Sequence, residues 1–370
     1  MSSIPKKSLV EALTIYKNAF GANELVALEI KDDRCYLDVN SPIMSLRISF
    51  DVDQQSDTAE QLVMEADRLL AFLKGGTTDI LTLTSGKNHN LVIGKTRLSV
   101  PKSNITIRAW GMLSNKSNET TVKSAHLFAQ IAKTITPFST GGHYGILDSL
   151  CIRRRKDSLE IVGTDGFRIG VVHIKDSGLE VLNDIDVIVP NDVLFVLTRL
   201  VKSDEPCSIY LSDKLFRMEV KYNELKIEVA ASPVEGKYPN IQPLLSAPPD
   251  HEWEVEATAI NQYCTLHKTV ATNKRTANAQ FTFKDEAIEM TTEGESPMDS
   301  VIGSVERVHG TGDHQISLSL KFILDAISLI ALNGTEKIKI GISTKTNLVW
   351  LRADSTNPDV KTMAVIVPMT

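Results

Sequence analysis

The chain has 370 residues, 42% hydrophobic and 23% charged, with a formal charge of −6 at pH 7. Domains usually run to about 100–150 residues, so this length implies more than one core, and the composition is that of ordinary globular protein. No apolar run approaches the ~20 residues that cross a bilayer; the best candidate, Phe322–Leu332, is short and carries Asp325, and no apolar stretch follows Lys6 and Lys7 as it would in a signal peptide. A cytoplasmic location without membrane contact is the expectation. Cys35, Cys151, Cys207 and Cys264 lie far apart with no C-x-x-C pair, which argues against a zinc site and a disulfide scaffold and for buried free thiols. No metal or cofactor is expected.

In chain order, the first element is an amphipathic helix over Lys6–Phe20. A second helical segment, Thr58–Lys74, carries Leu62 and Leu69 two turns apart on one face. Gly75-Gly76-Thr77 stops it, and the alternating strand Ile80-Leu81-Thr82-Leu83 follows. After a polar linker at Ser114–Thr121 the same order returns. A helix spans Val122–Thr136, a second spans Pro190–Ser203 with Val193 and Leu200 on one face, and the strand Ser208-Ile209-Tyr210-Leu211 follows. Beyond the linker Ala247–Glu252 it returns again, as a helix over Ala259–Thr272 and another over Leu318–Asn333 with Ile323 and Ile330. That last helix stops at Asn333-Gly334-Thr335 before the strand Ile338-Lys339-Ile340-Gly341-Ile342. Leu62, Val193 and Ile323 stand roughly 130 residues apart, a period near a third of the chain. The expected fold class is α+β, with three repeated domains, each two helices packed on antiparallel sheets. The expected boundaries are 1–119, 120–248 and 249–370.

The opening helices share a charge pattern. Lys6, Lys7 and Lys17 outweigh Glu11 in the first. Lys123 and Lys133 face no acid in the second, nor do Lys268, Lys274 and Arg275 in the third. The chain as a whole is negative, so the remainder is more acidic still. Arranged about a common axis, such helices would form a positive surface that attracts phosphates without reading sequence. The second helices are close to neutral and add nothing to it.

Four motifs give the repeat a family. Gly163-Thr164-Asp165-Gly166-Phe167-Arg168-Ile169 resembles the A-T-D-G-H-R-L segment of bacterial sliding clamps, the β subunit of DNA polymerase III. Val234-Glu235-Gly236-Lys237-Tyr238-Pro239-Asn240 is similar to their G-R-F-P-D segment, and Phe322-Ile323-Leu324-Asp325-Ala326 to their Y-L-L-D-A helix. The end, Val365-Ile366-Val367-Pro368-Met369-Thr370, resembles V-V-M-P-M-R-L. The resemblance is firmest from Thr121 to Thr370. Phe167 stands in place of histidine, Thr370 in place of arginine, and Pro243 where arginine is frequent. The loops Gly21-Ala22-Asn23-Glu24 and Thr140-Gly141-Gly142-His143 lack a basic residue for DNA. These departures mark a divergent member.

The resemblance implies three clamp domains forming half of a ring. A head-to-tail homodimer would then encircle double-stranded DNA without sequence preference. It implies a tether rather than an enzyme, serving the replicative DNA polymerase catalytic subunit and other clamp-motif proteins. An ATP-dependent clamp loader would open the ring; no G-x-x-x-x-G-K-[ST] occurs in the chain itself. The peptide-binding residues implied by the motifs are Leu147, Thr164, Gly166, Phe167, Arg168, Ile169, Pro239, Leu244, Phe322, Val365, Ile366, Pro368 and Met369. DNA contact falls to Lys6, Lys7, Lys17, Lys123, Lys133, Lys268, Lys274 and Arg275. Leu98 and Val100 against the region of Val270 are the expected dimer contacts.

Two other readings stand beside this one. Asp165, Cys151 and His143 could be drawn as a nucleophile set, but no G-x-S-x-G, H-E-x-x-H or metal-ligand cluster accompanies them. A clamp-fold interaction protein could bind clamp-motif peptides without encircling DNA.

Overall fold

The structure is a computed structural model. It describes residues 2–20, 25–54, 61–109, 119–122, 125–140, 145–155, 158–175, 185–200, 205–246, 249–271, 277–292, 297–303 and 305–369. The first third runs β1 (Ser2–Pro5), α1 (Lys6–Phe20), β2 (Leu25–Lys31), β3 (Arg34–Asn40), β4 (Met44–Asp51), β5 (Asp53–Gln54), β6 (Leu62–Glu65), α2 (Ala66–Gly75), β7 (Ile80–Ser85), β8 (Asn88–Ile93) and β9 (Thr96–Pro101). The middle third runs β10 (Glu119–Val122), α3 (Ala125–Ile135), β11 (Ser149–Arg155), β12 (Ser158–Thr164), β13 (Arg168–Lys175), β14 (Ile185–Pro190), α4 (Asn191–Leu200), β15 (Cys207–Leu211), β16 (Phe216–Tyr222), β17 (Leu225–Ala231) and the short α5 (Gln242–Leu245). The last third runs β18 (His251–Glu256), α6 (Ala257–Val270), β19 (Asn278–Phe283), β20 (Ile288–Thr292), β21 (Met298–Ile302), β22 (Glu306–His309), β23 (His314–Ser319), α7 (Leu320–Ile330), β24 (Lys337–Ser343), β25 (Leu348–Arg352) and β26 (Val360–Ile366).

The strand pairing repeats along with the order. The strand before each opening helix pairs antiparallel with the strand after each second helix: β1 with β7, β10 with β15, β18 with β24. The strand after each opening helix pairs with the one before the second helix: β2 with β6, β11 with β14, β19 with β23. The meanders β7-β8-β9, β15-β16-β17 and β24-β25-β26 are equivalent, as are β2-β3-β4, β11-β12-β13 and β19-β20-β21. The α+β class with antiparallel sheets is therefore the observed one.

Neighbouring repeats are joined edge to edge. β17 pairs with β4 over Lys226↔Ser49 to Ala231↔Met44, making one eight-stranded sheet. β13 pairs with β26 over Arg168↔Ile366 to Ile174↔Val360, making one nine-stranded sheet. The chain accordingly gathers into two compact units, each holding one of these joined sheets and one smaller sheet. The smaller sheets end in strands with a single partner, β9 in one unit and β21 in the other.

Each strand alternates as its composition requires. The run Asn88–Ile93 buries His89, Leu91 and Ile93 and leaves Asn88, Asn90 and Val92 partly open, one side chain per face per residue. Helices α1 and α2 pack together in the first unit and α6 and α7 in the second. The opening helices lie close to their expected spans. The second helical segment of the first third is a correction: Leu62 lies in β6, and the helix begins only at Ala66. Leu62-Val63-Met64 pairs with Leu28-Ala27-Val26 of β2. A seven-residue spacing of two leucines cannot reveal that a strand ends between them. The linker expected at Ala247–Glu252 likewise gives way to β18 at His251, and the one at Ser114–Thr121 to β10 at Glu119.

Both expected helix stops are glycine, for different reasons. Gly334 adopts φ 73°, the left-handed conformation that closes the turn after α7. Gly76 is extended, but a Cβ there would sit 2.3 Å from the Ile93 side chain. All four cysteines are buried and outside any disulfide. Among the described residues no cluster of ligands suits a metal, and no helix is long and apolar enough to cross a membrane.

Candidate functional site

The turn between β12 and β13 is built by its own side chains. Asp165 Oδ1 accepts the backbone N–H groups of Phe167 and Arg168 at 3.0 and 3.1 Å. Thr164 Oγ1 accepts the N–H of Gly166 at 3.2 Å and donates to the Arg168 carbonyl at 2.7 Å. Gly166 takes φ 91° with open space where a Cβ would be, so conformation rather than crowding calls for glycine. The motif T-D-G-F-R is in this sense a self-capped turn.

Arg168 then fastens the turn to its surroundings. Only 2% of its side chain is exposed. Nε donates to Asp165 Oδ2 at 2.9 Å, Nη1 to Asp325 Oδ2 of α7 at 2.6 Å, and Nη2 to the carbonyl of Pro137. The guanidinium also lies 4.2 Å from the Phe322 ring centroid and 5.2 Å from that of Phe138. A buried cation needs this degree of pairing to be tolerated. Each of its three guanidinium nitrogens donates inside the protein.

Beside the turn lies a cavity of about 180 Å³, walled by Leu147, Thr164, Gly166, Arg168, Ile169, Pro239, Asn240, Ile241, Leu244, Leu348, Val365 and Val367. Its floor belongs to a buried apolar cluster that includes Val162, Ile169, Ile188, Trp350 and Val365. Ile169 and Trp350 both sit directly opposite Val365 across β26. The segment after β17 supplies the far wall and is held by Tyr238. Its hydroxyl accepts the Thr164 N–H at 3.1 Å and can donate to the Ser149 or Val162 carbonyls at 3.3 and 3.4 Å. Burial pushes this phenol's pKa well up, so the donor proton stays in place.

Eight of the thirteen residues named for the pocket line this cavity: Leu147, Thr164, Gly166, Arg168, Ile169, Pro239, Leu244 and Val365. The other five lie beside it. Phe167 is 61% exposed at the turn, and its carbonyl accepts the Val367 N–H at 2.8 Å. Phe322 lies against Arg168. Ile366 is fully buried within the sheet, opposite Arg168 and Val349. Pro368 is buried and Met369 exposed; the Met369 N–H donates to the Ser317 carbonyl at 2.9 Å. Asn240, Ile241, Leu348 and Val367 line the cavity without having been named. Val367 and Asn240 lie inside the quoted motifs, so a signal existed for them. Leu348 is brought in only by the β25–β26 pairing.

The basic residues fall into three groups. Lys7 and Lys133 are exposed, and Lys268 is partly so. Lys6 donates to the Gly76 carbonyl at 2.7 Å, and Lys17 pairs with Asp67 at 2.8 Å, so both fasten α1 to α2 or its C-terminal end. Lys123, Lys274 and Arg275 lie outside the described residues, as do both loops without a basic residue except for Thr140. Leu98 and Val100 sit on β9, the strand with one partner; Val270 ends α6. The alternative nucleophile, Cys151, is buried, and burial raises its thiol to about 11, which leaves little thiolate at neutral pH. His143 lies outside the described residues.

The repeat, the joined sheets and the cavity define the fold of the bacterial sliding clamp. Along its full length the chain is similar to the Pseudomonas aeruginosa DNA polymerase III subunit beta, with a TM-score of 0.83 at 15% identity and 100% of both chains covered. It is similar to a putative DNA polymerase III beta subunit from Eubacterium rectale (0.84, 13%, covering 100% of this chain and 99% of that one). A Helicobacter pylori beta clamp in complex with carprofen is likewise similar (0.84, 15%, 100% of both). Residues 121–240 match the family model "DNA polymerase III beta subunit, central domain". No curated protein matches the chain significantly by sequence. The resemblance read from the motifs thus meets the family model over residues 121–240 and the clamp fold over the full length, at low identity.

Proposed function

We propose that this chain is a DNA sliding clamp, a non-catalytic ring that encircles duplex DNA and tethers a replicative polymerase. One observation carries the reading. The chain joins its repeats twice by pairing the last strands of two meanders, β17 with β4 and β13 with β26. Among the described residues it leaves the corresponding strands β9 and β21 each with a free edge. Pairing β9 of one copy with β21 of another makes a third junction of the same kind. Two copies then close a head-to-tail ring of six repeats, in which every junction is equivalent. The three domains 1–119, 120–248 and 249–370 are the units of that ring. Leu98 and Val100 are on the proposed edge. Val301, 58% exposed on β21, is a better partner for them than Val270.

DNA would be held by Lys7, Lys133 and Lys268 with Lys123, Lys274 and Arg275, weakly and without base preference. The cavity beside Arg168 would receive short peptides with a glutamine and apolar anchors from the polymerase, the clamp loader and other clamp-motif proteins. Cytoplasmic location follows from that role. Because Lys6 and Lys17 are engaged with α2 and its end, a clamp-fold peptide binder that does not encircle DNA is the second reading. Retention on nicked circular DNA separates the two. A working clamp, once loaded, stays on the circle and slides off after linearisation. The variant V301D should leave folded monomers in sedimentation at micromolar concentration and abolish retention. A wild-type protein that is monomeric at that concentration, or is retained equally on linear DNA, defeats the ring.

A further inference from the structure

The cavity wall is nearly empty of polar groups able to receive a ligand. Thr164 and Arg168 make their hydrogen bonds within the protein, as described above. Asn240 differs. Its Oδ1 accepts the Gln242 N–H at 3.2 Å, while its Nδ2 donates to no described residue, and the side chain is exposed. Asn240 also stands where the family segment G-R-F-P-D ends in aspartate, so a donor replaces an anion at the cavity's rim.

A second groove begins on the other side of Asn240. It has a volume of about 340 Å³, and its wall includes Arg153, Arg155, Asp186, Lys237, Asn240 and Gln242. Its character is opposite to that of the first cavity. Arg153 bonds Glu160 at 2.9 Å and lies 3.5 Å from Asp186, which also pairs with Arg155 at 2.7 Å. Lys237 is exposed and forms no ion pair with a described residue. Among the described residues the wall carries Arg153, Arg155 and Lys237 against Asp186, and Glu160 bonds Arg153. Its amides, Asn240 and Gln242, offer donors.

We infer that the peptide received by the apolar cavity continues over Asn240 into this groove and carries acidic residues there. The occupant is a linear peptide with apolar anchors and an acidic flank. This inference rests on the peptide-pocket reading and names the chemistry of its partner. Asn240 is the specificity-determining residue, because its Nδ2 donates to a carboxylate that aspartate in its place would repel. Lys237 supplies the unpaired charge. An exposed charge contact changes affinity by up to about fivefold, and the effect weakens with salt.

The test uses the full chain and two synthetic peptides. Both contain a glutamine followed by leucine and phenylalanine anchors; one is flanked by two aspartates and the other by two asparagines. Isothermal titration should give the aspartate peptide about threefold to tenfold the affinity of its amide twin at 50 mM salt, and less advantage at 500 mM. K237E should remove or reverse the preference, and N240D should reduce it, with both peptides still bound. Equal affinities for the two peptides on the wild-type chain overturn this inference alone. Binding of neither peptide overturns the pocket reading and this inference with it. A preference that survives K237E and N240D places the acidic flank elsewhere and overturns the assignment to this groove.

Discussion

The two internal junctions share one topology and differ in chemistry. Where β4 meets β17, a ladder of charges crosses the sheet. Arg47 sits opposite Asp38 on one side and Glu228 on the other, and bonds Asp38 with two nitrogens at 2.7 Å. Arg217 then pairs with Glu228 at 2.6 Å and Glu219 at 3.0 Å. The segment after β9 is pinned to this unit by polar contacts. Asp38 Oδ2 accepts the Ala109 N–H, Gln61 Oε1 that of Ile107, and Asn40 donates to the Arg108 carbonyl. Where β13 meets β26, the equivalent segment after β17 packs Tyr238 and Ile241 into an apolar cluster and leaves a cavity beside it. An open groove in the first unit, at the Arg34–Asp51 and Glu219–Lys226 ends of its strands, is walled mostly by charged residues. An apolar cavity at such a junction is therefore a property of the connecting segment's composition. Topology alone does not create one.

The sharpest way to break this comparison is to remove the buried arginine from each junction. R168A leaves the buried Asp165 without its ion partner and should cost about 3 kcal/mol or more, whereas R217A leaves Glu228 with Lys226 at 3.3 Å and should cost less. Hydrogen exchange should locate the loss in the unit that carries the substitution. Only R168A should also abolish peptide binding, because only Arg168 holds a turn that walls the cavity. Equal loss of peptide binding in R217A would mean that the two junctions are not independent.

A smaller effect is expected at the chain end. M369A should weaken peptide binding by about 2 kcal/mol, roughly thirtyfold, if Met369 is an anchor for the ligand. Stability should barely move, since the side chain is exposed. Unchanged affinity in titration would restrict the site to the cavity wall proper.

The smallest effect separates the two units by pH. His267 is buried on α6 and bonded through Nδ1 to Thr292 and through Nε2 to Ser300; desolvation lowers its pKa, against a weaker opposing pull from Asp299. His251 is lowered by desolvation and then by His314, Arg307 and His309, with Asp250 opposing. A histidine held neutral in the fold but free to protonate when unfolded, near its ordinary value of 6.5, contributes stability above that pH. That contribution is lost as pH falls below it. The unit containing both histidines should lose protection on acidification from pH 7 to 5, and H267Q should flatten the loss. Acid sensitivity unchanged in H267Q would remove that histidine from the account.

The repeat was legible because pattern and spacing are local. Helix α1 matches its expected span, and Val193–Leu200 and Ile323–Ile330 fall inside α4 and α7. Leu62–Leu69 misled because a strand can end in phase with the helix that follows it. Within the site, Thr164–Ile169 could be read as a unit because the turn is closed by its own Asp165, Gly166 and Arg168. The engagement of Arg168 by Asp325 could not, since 157 residues separate them and nothing local fixes their approach. Sequence by itself determined the α+β class, the threefold order of elements and the motif residues around the cavity. Each of these follows from side-chain periodicity or from turn chemistry within a few residues. Tertiary structure alone decided that β13 pairs with β26, that Leu348 and Ile241 join the wall, and that Lys6 and Lys17 bind their own unit. Those outcomes depend on which distant edges and charges meet, and contact at long sequence separation leaves no periodic trace in the chain.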